Sequence, residues 1–412
     1  MRHCMNIFEP KLAVVYLLFF IVACRERATT NTSANLQKGS YGYDANFLRL
    51  HTNKIIELHD QNNQARILVS ADYQGRVMTS TANGDKGTSY GWINYDLISS
   101  EKKKAQFNPV GGEERFWMGP EGGQYSIYFK KGDSFNLAHW QVPAVIDTIP
   151  YDVVSSDNSR VVFNKTAIVT NYSSSRFEIA IRRSISLLDK NSISQRLRTK
   201  IPDNVNCVGY ETNTEVKNIG ADDWTKQNGL ISIWLLGMMT PTEKTEVIIP
   251  FRPIVNADSL ITKNYFGDIP ATRLQIHDSV LYFACDGKYR SKIGLSPSIA
   301  KSIAASFDFE RNVLTLILFP VDENGMYVNS KWEFQTQPYK GDVVNSYNDG
   351  PLADGTQLGP FYEIESSGSV KELKKGETEA HKQITCHLQG DYESLRQLAK
   401  HILSVDLNDL RK

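Results

Sequence analysis

The chain has 412 residues, 46 of them basic and 46 acidic, so its formal net charge at pH 7 is zero. Without an excess of positive charge, nothing in the composition points to a nucleic-acid partner or to attachment at an anionic membrane surface. The length is ample for a large hydrophobic core, and all-β proteins of this size can fold as a single domain.

The N-terminal residues predict export and lipid attachment. The apolar run LAVVYLLFFIVA, residues 12–23, is too short to span a bilayer as a helix and has the length of a signal-peptide hydrophobic region. Its ending, Ile21-Val22-Ala23-Cys24, resembles the bacterial lipobox, in which the cysteine thiol carries diacylglycerol. We therefore expect a signal peptide at 1–23 and a lipid-anchored protein of the bacterial cell envelope. An ordinary cleaved leader, or an N-terminal anchor with a coincidental cysteine, is the alternative.

Residues 24–40 are rich in Thr, Asn, Ser and Ala, which predicts a flexible tether between the lipid and a folded domain at 41–412. Most of that domain reads as β-strands separated by Gly, Asn, Asp and Pro clusters. The predicted strands are 54–60, 65–72, 75–81, 125–132, 160–171, 176–189, 229–238, 245–251, 280–287 and 312–321.

The segment at 176–189 shows the strand pattern most clearly, because its apolar residues share one parity from Phe177 to Leu187. Arg183 interrupts this apolar face and indicates either a kink or a buried partner carboxylate. One helix is predicted near the C-terminus, where Asp391 can cap a segment with an apolar stripe. Strands with almost no alternating helices favour an all-β fold of antiparallel sheets packed as a sandwich.

The segment NPVGGEERFWMGPEGGQYSIYF, residues 108–129, is the first candidate for ligand binding. Its glycines permit tight turns, Arg115, Glu121 and Gln124 can hydrogen-bond hydroxyl groups, and Trp117 can stack on a sugar ring. The alternative is a connection whose Arg–Glu pairs are internal salt bridges.

Two further clusters are candidates. In FNLAHWQVP, residues 135–143, His139 lies beside Trp140, and an aromatic ring is a natural platform for a carbohydrate, although a lone histidine is often structural. Asn348 belongs to a Tyr-Asn-Asp-Gly segment that could also be a simple turn. Its acidic spacing fits no EF-hand, and the cysteines form no C-x-x-C pair, so we expect no metal and no cofactor.

In GPFYEIESS, residues 359–367, Glu363 and Glu365 are two residues apart, so on a strand both point to one face. That face could line a cleft, or it could simply be solvated. After this strand come the turn LKKGE, residues 373–377, and the strand HKQITCHL. The succession resembles the C-terminal part of galactose mutarotase-like proteins. The whole folded chain, including GRVMTST, Trp92 with Asn94, and GGEERFWMGPEGG, also resembles a family of uncharacterised lipoproteins from Bacteroidetes-type bacteria that share this sandwich.

The resemblance implies a large antiparallel β-supersandwich with a short C-terminal helix and a catalytic base on the strand. Glu365 matches that base best, and Glu363 is the alternative. Sugar mutarotases pair the base with a mid-chain histidine acid. The equivalent stretch here, GYETNTEVKNIG at 209–220, has no histidine and carries Glu211 and Glu215 instead. The acid therefore cannot be assigned from the sequence.

Three functions remain open at this point. The first is an exported protein that processes carbohydrate in an epimerase-, lyase- or hydrolase-like reaction with a glutamate base. The second is a glycan-binding lipoprotein without catalysis, which the missing histidine favours. The third is an accessory subunit with no glycan role. The expected partners are a carbohydrate and, through Cys24, a membrane, and the sequence does not determine the oligomeric state.

Overall fold

The computed structural model describes residue 1 and residues 36–411. The predicted lipidation site at Cys24, the predicted signal peptide beyond Met1 and most of the predicted tether lie outside the described residues. The residues from Leu36 onward form one compact unit. In the described part of the chain, no α-helix combines the length and the apolar character needed to cross a bilayer.

The described residues form nineteen β-strands and four α-helices. The helices are α1 (Tyr41–His51), α2 (Tyr95–Ser99), α3 (Lys190–Leu197) and α4 (Tyr392–Leu403). The strands are β1 (Ile55–His59), β2 (Arg66–Ser70), β3 (Arg76–Thr81), β4 (Arg115–Gly119), β5 (Asp152–Ser156), β6 (Arg160–Thr170), β7 (Arg176–Leu188), β8 (Asn206–Asn218), β9 (Ser232–Leu236), β10 (Thr245–Pro250), β11 (Ile261–Thr262), β12 (Leu274–Ile276), β13 (Val280–Ala284), β14 (Ser291–Leu295), β15 (Ile303–Asp308), β16 (Val313–Leu318), β17 (Val344–Asn348), β18 (Tyr362–Ser367) and β19 (Thr378–Gln389).

The strands form three antiparallel sheets. The largest has ten strands in the order β12-β13-β10-β15-β16-β19-β8-β7-β6-β5. The second has six, in the order β11-β14-β17-β18-β9-β4, and the third consists of β1-β2-β3. The all-β prediction with antiparallel sheets is confirmed.

The six-stranded sheet packs one face against the ten-stranded sheet. Near one end, Leu235 of β9 shares a buried apolar cluster with Ile181 of β7. Near the other end, Ile364 of β18 shares a cluster with Ile317 of β16. Because successive strand residues point to opposite faces, β18 directs Glu363 and Glu365 away from the ten-stranded sheet. We call this side the outer face of the six-stranded sheet.

The C-terminal helix is confirmed and covers the other side of the ten-stranded sheet. The Asp391 side chain caps α4 by accepting a hydrogen bond from the backbone N–H of Ser394. Leu395 and Leu398 of α4 pack in one cluster with Leu316 of β16. The helix thus buries a sheet face that would otherwise be exposed to water.

Two sequence-based expectations differ from the structure. The strand predicted at 125–132 is absent, and this segment is a series of turns and bends. Its aromatic residues are buried by packing over β4, where the Tyr128 hydroxyl donates to the carbonyl of Met118 at 2.8 Å. Helix α1 was not predicted, and the side chain of its N-cap residue, Ser40, makes no hydrogen bond to the helix. The helix is held by burial of Tyr41, Ala45 and Leu48.

Arg183 is fully buried and pairs with Glu114, which confirms the buried-carboxylate interpretation. Its Nη1 also donates to Thr214 at 2.8 Å. The second oxygen of Glu114 accepts from Thr212 at 3.1 Å and from Gln383 at 3.0 Å. This polar network lies between the sheets, whereas Glu365 lies on the outer face of the six-stranded sheet.

Candidate functional site

Glu363 and Glu365 are buried on the outer face of the six-stranded sheet. Their exposed fractions are 5% and 0%, so neither lies on a solvated face. Charged carboxylates are rarely buried to this extent without partners, because removing them from water is costly. The buried position therefore requires compensating cations.

Each carboxylate has one cationic partner. Arg115 of β4 donates from Nη2 to Glu363 Oε1 at 2.8 Å, and Lys292 of β14 donates to Glu365 Oε2 at 2.9 Å. β9 lies between β4 and β18, and β17 lies between β14 and β18, so both cations reach across an intervening strand. The six-stranded sheet thereby brings together charges from three distant parts of the sequence.

The two oxygens of Glu365 have different surroundings. Oε2 accepts both from Lys292 and from the indole Nε1 of Trp234 at 3.0 Å. Oε1 is buried and accepts from no N–H or hydroxyl group among the described residues, although a protonated Glu363 carboxyl would hydrogen-bond to Glu365. A buried acceptor without a donor is destabilising by about 1–3 kcal/mol, and native proteins rarely keep one without a reason such as a ligand or a bound water. Oε1 is therefore a position where a ligand hydroxyl could donate.

Indole rings surround these charges. The ring centroid of Trp117 lies 5.7 Å from that of Trp234 and 6.3 Å from that of Trp140. Trp140 in turn stacks on Trp332 at 6.0 Å. The Arg115 guanidinium carbon lies 4.3 Å from the Trp117 centroid, and the Lys292 ammonium lies 4.9 Å from that of Trp234. These distances allow cation–π attraction, which helps to hold both cations in the absence of bulk water.

Glu121 adds a third carboxylate at the edge of the cluster. It lies on the turn after β4, where Gly122 lets the chain approach the segment after residue 330. A Cβ at Gly122 would lie 2.2 Å from the carbonyl oxygen of Lys331, so no larger residue fits. Glu121, Lys292 and Trp332 are partly exposed, unlike Glu363 and Glu365. The cluster therefore reaches the surface through these three residues.

The electrostatics of the site distinguish its carboxyl groups. Burial raises the pKa of Glu363 to about 8; Arg115 opposes this shift and Glu365 adds to it. Burial also raises the pKa of Glu121 above its ordinary value. Burial lowers the pKa of Lys292, but Glu365 and Glu121 outweigh this effect, so the pKa lies above its ordinary value. Burial and Glu365 therefore favour the protonated form of Glu363 while Arg115 opposes it, and the carboxylates around Lys292 favour its charged ammonium form.

Six of the nine predicted ligand-binding and catalytic residues lie in this cluster, namely Arg115, Trp117, Glu121, Trp140, Glu363 and Glu365. The other three lie elsewhere. The predicted roles of all these residues stay predictions.

Gln124, His139 and Asn348 do not join the cluster. The Gln124 amide is occupied by two hydrogen bonds with the backbone of Gln335, at 2.9 and 3.0 Å. His139 is exposed, and its Nδ1 lies 3.2 Å from the carbonyl oxygen of Ser134. Asn348 is fully buried, and its side-chain oxygen accepts from the backbone N–H of Gly287 at 2.8 Å. It pairs with Tyr362 across the strands and therefore points to the face opposite to that of Glu363. Gln124 and Asn348 thus support loops.

Sequence reasoning missed Lys292, Trp234 and Trp332. Lys292 belongs to the short segment SKIGL, which carries no motif, and Trp234 lies in an apolar run typical of a buried strand. Trp332 follows no strand pattern at all. A regular alternation in β14 and β9 could have shown which side chains share a face, but it could not have shown which face holds the glutamates.

The histidines with buried side chains lie between the sheets. His381 Nε2 lies 2.7 Å from Ser366 Oγ, and His387 Nε2 lies 2.8 Å from Glu113 Oε1. Both come from β19 of the ten-stranded sheet, on the inner side of the sandwich. Among the described residues, no group of three or more His, Cys, Asp and Glu side chains is arranged to hold a metal ion.

Fold and site together define a β-sandwich protein with a buried, tryptophan-lined cluster of paired carboxylates and cations. By the match of residues 39–412, the chain belongs to a family of unknown function, DUF6786. No curated protein matches it in sequence.

Solved structures similar to this chain come from several bacteria. The Slr1438 protein from Synechocystis sp. PCC 6803 is 12% identical with a TM-score of 0.48, over 83% of this chain and 98% of that one. A galactose mutarotase-like protein from Lactobacillus casei is 11% identical with a TM-score of 0.47, over 82% and 100%. A galactose mutarotase related enzyme from Lactobacillus acidophilus is 10% identical with a TM-score of 0.44, over 82% and 99%. The resemblance noted in the sequence agrees with these matches, which describe likeness of fold and not activity.

Proposed function

We propose that this protein binds and processes a carbohydrate in the cluster on the outer face, with Glu365 as the residue that engages a sugar hydroxyl. The proposal rests above all on Glu365 Oε1, which is buried and accepts from no N–H or hydroxyl group of the described residues, while Oε2 is held by Trp234 and Lys292. A sugar hydroxyl supplies such a donor. The apolar faces of a sugar ring also fit against indole rings, which here are contributed by Trp117 and Trp140.

The pair of carboxyl groups suits acid–base chemistry. A general base must be charged and a general acid must hold a proton at the working pH. Glu365 accepts from Lys292 and Trp234, an arrangement that suits a base, and the raised pKa of Glu363 favours the proton that an acid must hold. Glu363 would then take the part of the histidine acid that mutarotases have and this chain lacks.

The corresponding reaction is opening of a sugar hemiacetal. Glu365 removes the proton of the anomeric hydroxyl, Glu363 protonates the ring oxygen, and the bond between the anomeric carbon and the ring oxygen breaks. The product is the open-chain aldehyde, with a proton gained by Glu365 and one lost by Glu363. Closure on the opposite face of the carbonyl inverts the anomer and returns both protons.

Binding without catalysis is the second candidate function. The observation that favours it is the short Arg115–Glu363 ion pair at 2.8 Å, which commits Glu363 to a structural partner. In that case the cluster would present fixed donors and acceptors to a glycan and transfer no proton. The two candidates differ in one measurable property, the rate of anomeric exchange.

The site of action in the cell is part of the same proposal. The apolar run before Cys24 supports export and lipid attachment, which would keep the domain at the envelope, where extracellular glycans are found. A tether after Cys24 would give the domain reach from the membrane surface.

The test measures glycan-array binding and NMR anomeric exchange of monosaccharides with the purified protein. We expect Glu365→Gln to lower affinity or exchange rate by about 10-fold or more, since hydrogen bonds to charged groups contribute roughly 1.5–3 kcal/mol. Trp234→Phe, which keeps the ring and removes the N–H that orients Glu365, should produce a smaller loss. Binding without faster exchange would support the second candidate.

Glu114→Gln is the matched control. Glu114 is also fully buried and also paired with an arginine, but it lies between the sheets. Its variant should lose stability and retain ligand binding in the fraction that remains folded. If Glu365→Gln and wild type bind and exchange sugars equally, Glu365 has no role with ligand, and the proposal is wrong.

A further inference from the structure

A cavity lies next to Trp140, one of the indole rings around the glutamate cluster, because its lining residue Tyr128 stacks on that ring. It has a volume of about 290 Å³ and is lined by residues of the segments 127–131, 139–144 and 170–174. The size approaches that of small-molecule sites, which begin near 300 Å³. None of Arg115, Lys292, Glu363 and Glu365 lines it, so it is distinct from the site described above.

The lining of this cavity is cationic. Lys130 and Lys131, both exposed, are among the lining residues, and no Asp or Glu is. Neither ammonium group has a hydrogen-bond or ion-pair partner among the described residues. The nearby Asp133 carboxylate accepts from the backbone N–H of Lys130 at 3.0 Å and does not line the cavity. Two adjacent lysines without acidic partners leave a positive charge that the fold itself does not use.

His139 adds a polar nitrogen to the same wall. Its Nδ1 lies 3.2 Å from the carbonyl oxygen of Ser134, which can only accept, so Nδ1 carries a hydrogen. This contact orients the ring and leaves Nε2 without a described partner. His139 thus has a place in a cavity, although not in the cluster for which the sequence suggested it.

Part of the lining is apolar. Tyr128, Val142 and Pro143 contribute to it, and the Tyr128 ring is parallel to that of Trp140 at 6.1 Å, with an interplanar angle of 8°. Trp140 is also one of the indole rings around the glutamate cluster. A ligand with an anionic group and a ring would therefore find both a charge partner and an apolar surface.

We propose that this cavity binds an oxyanion, namely a sulfate, phosphate or carboxylate group, either free or as the substituent of a saccharide. The lysines supply the counter-charge and the N–H donors. The proposal does not depend on catalysis at Glu365, because the cavity has its own lining residues.

The test is calorimetric titration of the purified protein with sodium sulfate, sodium phosphate, oligogalacturonate and a sulfated oligosaccharide. A neutral oligosaccharide of equal length is the reference. We expect at least one oxyanion probe to bind and the neutral reference to bind at least 10-fold more weakly. Tighter binding of the saccharides than of the free ions would identify a substituent as the ligand group, and equal binding would identify the free ion.

Lys130→Ala/Lys131→Ala should weaken that binding at least 10-fold. The matched control is Lys374→Ala/Lys375→Ala, which removes two adjacent exposed lysines that do not line the cavity. Both double variants lower the net charge by two, so an equal loss in both would show a general charge effect and overturn the proposal. Failure of wild type to bind any of the four anionic probes would also overturn it. Retained sugar exchange in the Lys130/Lys131 variant would show that the two sites act separately.

Discussion

Arg115 and Glu363 form a buried ion pair at 2.8 Å although 248 residues separate them in the chain. The pair exists because β4 and β18 are both hydrogen-bonded to β9, one on each side. Because both side chains lie on the same face of the sheet, the long side chain of Arg115 can reach across β9 to Glu363. The geometry of the cluster therefore depends on the whole six-stranded sheet.

The pH dependence of stability should reveal the protonation of Glu363. Its pKa rises from 4.5 to about 8 on folding, so between these pH values the native state binds a proton that the unfolded state has lost. The contribution of Glu363 is fully present below pH 4.5 and decreases as the pH rises towards 8. Urea unfolding of wild type and Glu363→Gln at pH 5, 7 and 8.5 measures this. The free energy of unfolding of the variant should fall less steeply with pH, and parallel pH profiles would show that Glu363 titrates normally.

Removal of Arg183 should destabilise the protein strongly. Arg183 and Glu114 are both fully buried, so Arg183→Met leaves an unpaired buried carboxylate and should cost roughly 3–5 kcal/mol. Arg183→Met/Glu114→Gln removes that charge and should recover part of the loss. Denaturant unfolding of the two single variants and the double variant gives the coupling energy. Strictly additive losses would indicate that the pair is not coupled.

His381 should remain neutral well below the usual range of histidine. Burial lowers its pKa from 6.5 to about 4, because the charged form cannot be hydrated between the sheets. Its stabilising contribution is present above pH 6.5 and is lost as the pH falls through 4. NMR titration, with the resonance assigned through His381→Gln, should show no change in the ring signals above about pH 5.5. A midpoint near 6.5 would mean that water reaches the ring.

Cys24 should carry the lipid anchor. Cys24 follows the apolar run directly, whereas Cys4 precedes it, so only Cys24 is positioned for lipidation. A metabolic fatty-acid probe should label wild type and Cys4→Ser, and it should not label Cys24→Ser. Undiminished labelling of Cys24→Ser would refute lipid attachment at this residue.

Much of the fold was accessible from the sequence because strand formation depends on a local pattern. The alternation in 176–189 identified β7 and marked Arg183 as an exception to its apolar face. The apolar stripe after Asp391 identified α4. The pattern failed at 125–132, where buried aromatic residues pack over β4 from an irregular segment. It also failed at α1, which is stabilised by burial of its apolar residues and has no side-chain cap. Local periodicity does not distinguish a strand from a loop that buries the same residues.

The sequence by itself determined that Glu363 and Glu365 share a face, since that follows from the two-residue period of a strand. It also marked Arg115 and Trp117 as candidates through their unusual neighbours. Only the tertiary structure decided that this face is buried and that Lys292 and Trp234 meet Glu365 there. Those contacts arise from strand order and register between segments far apart in the chain, and a single sequence carries no local signal for either. The physical consequence is large, because on a solvated sheet both carboxyl groups would be hydrated, whereas here burial raises the pKa of Glu363 to about 8 and each carboxyl group depends on one cationic partner.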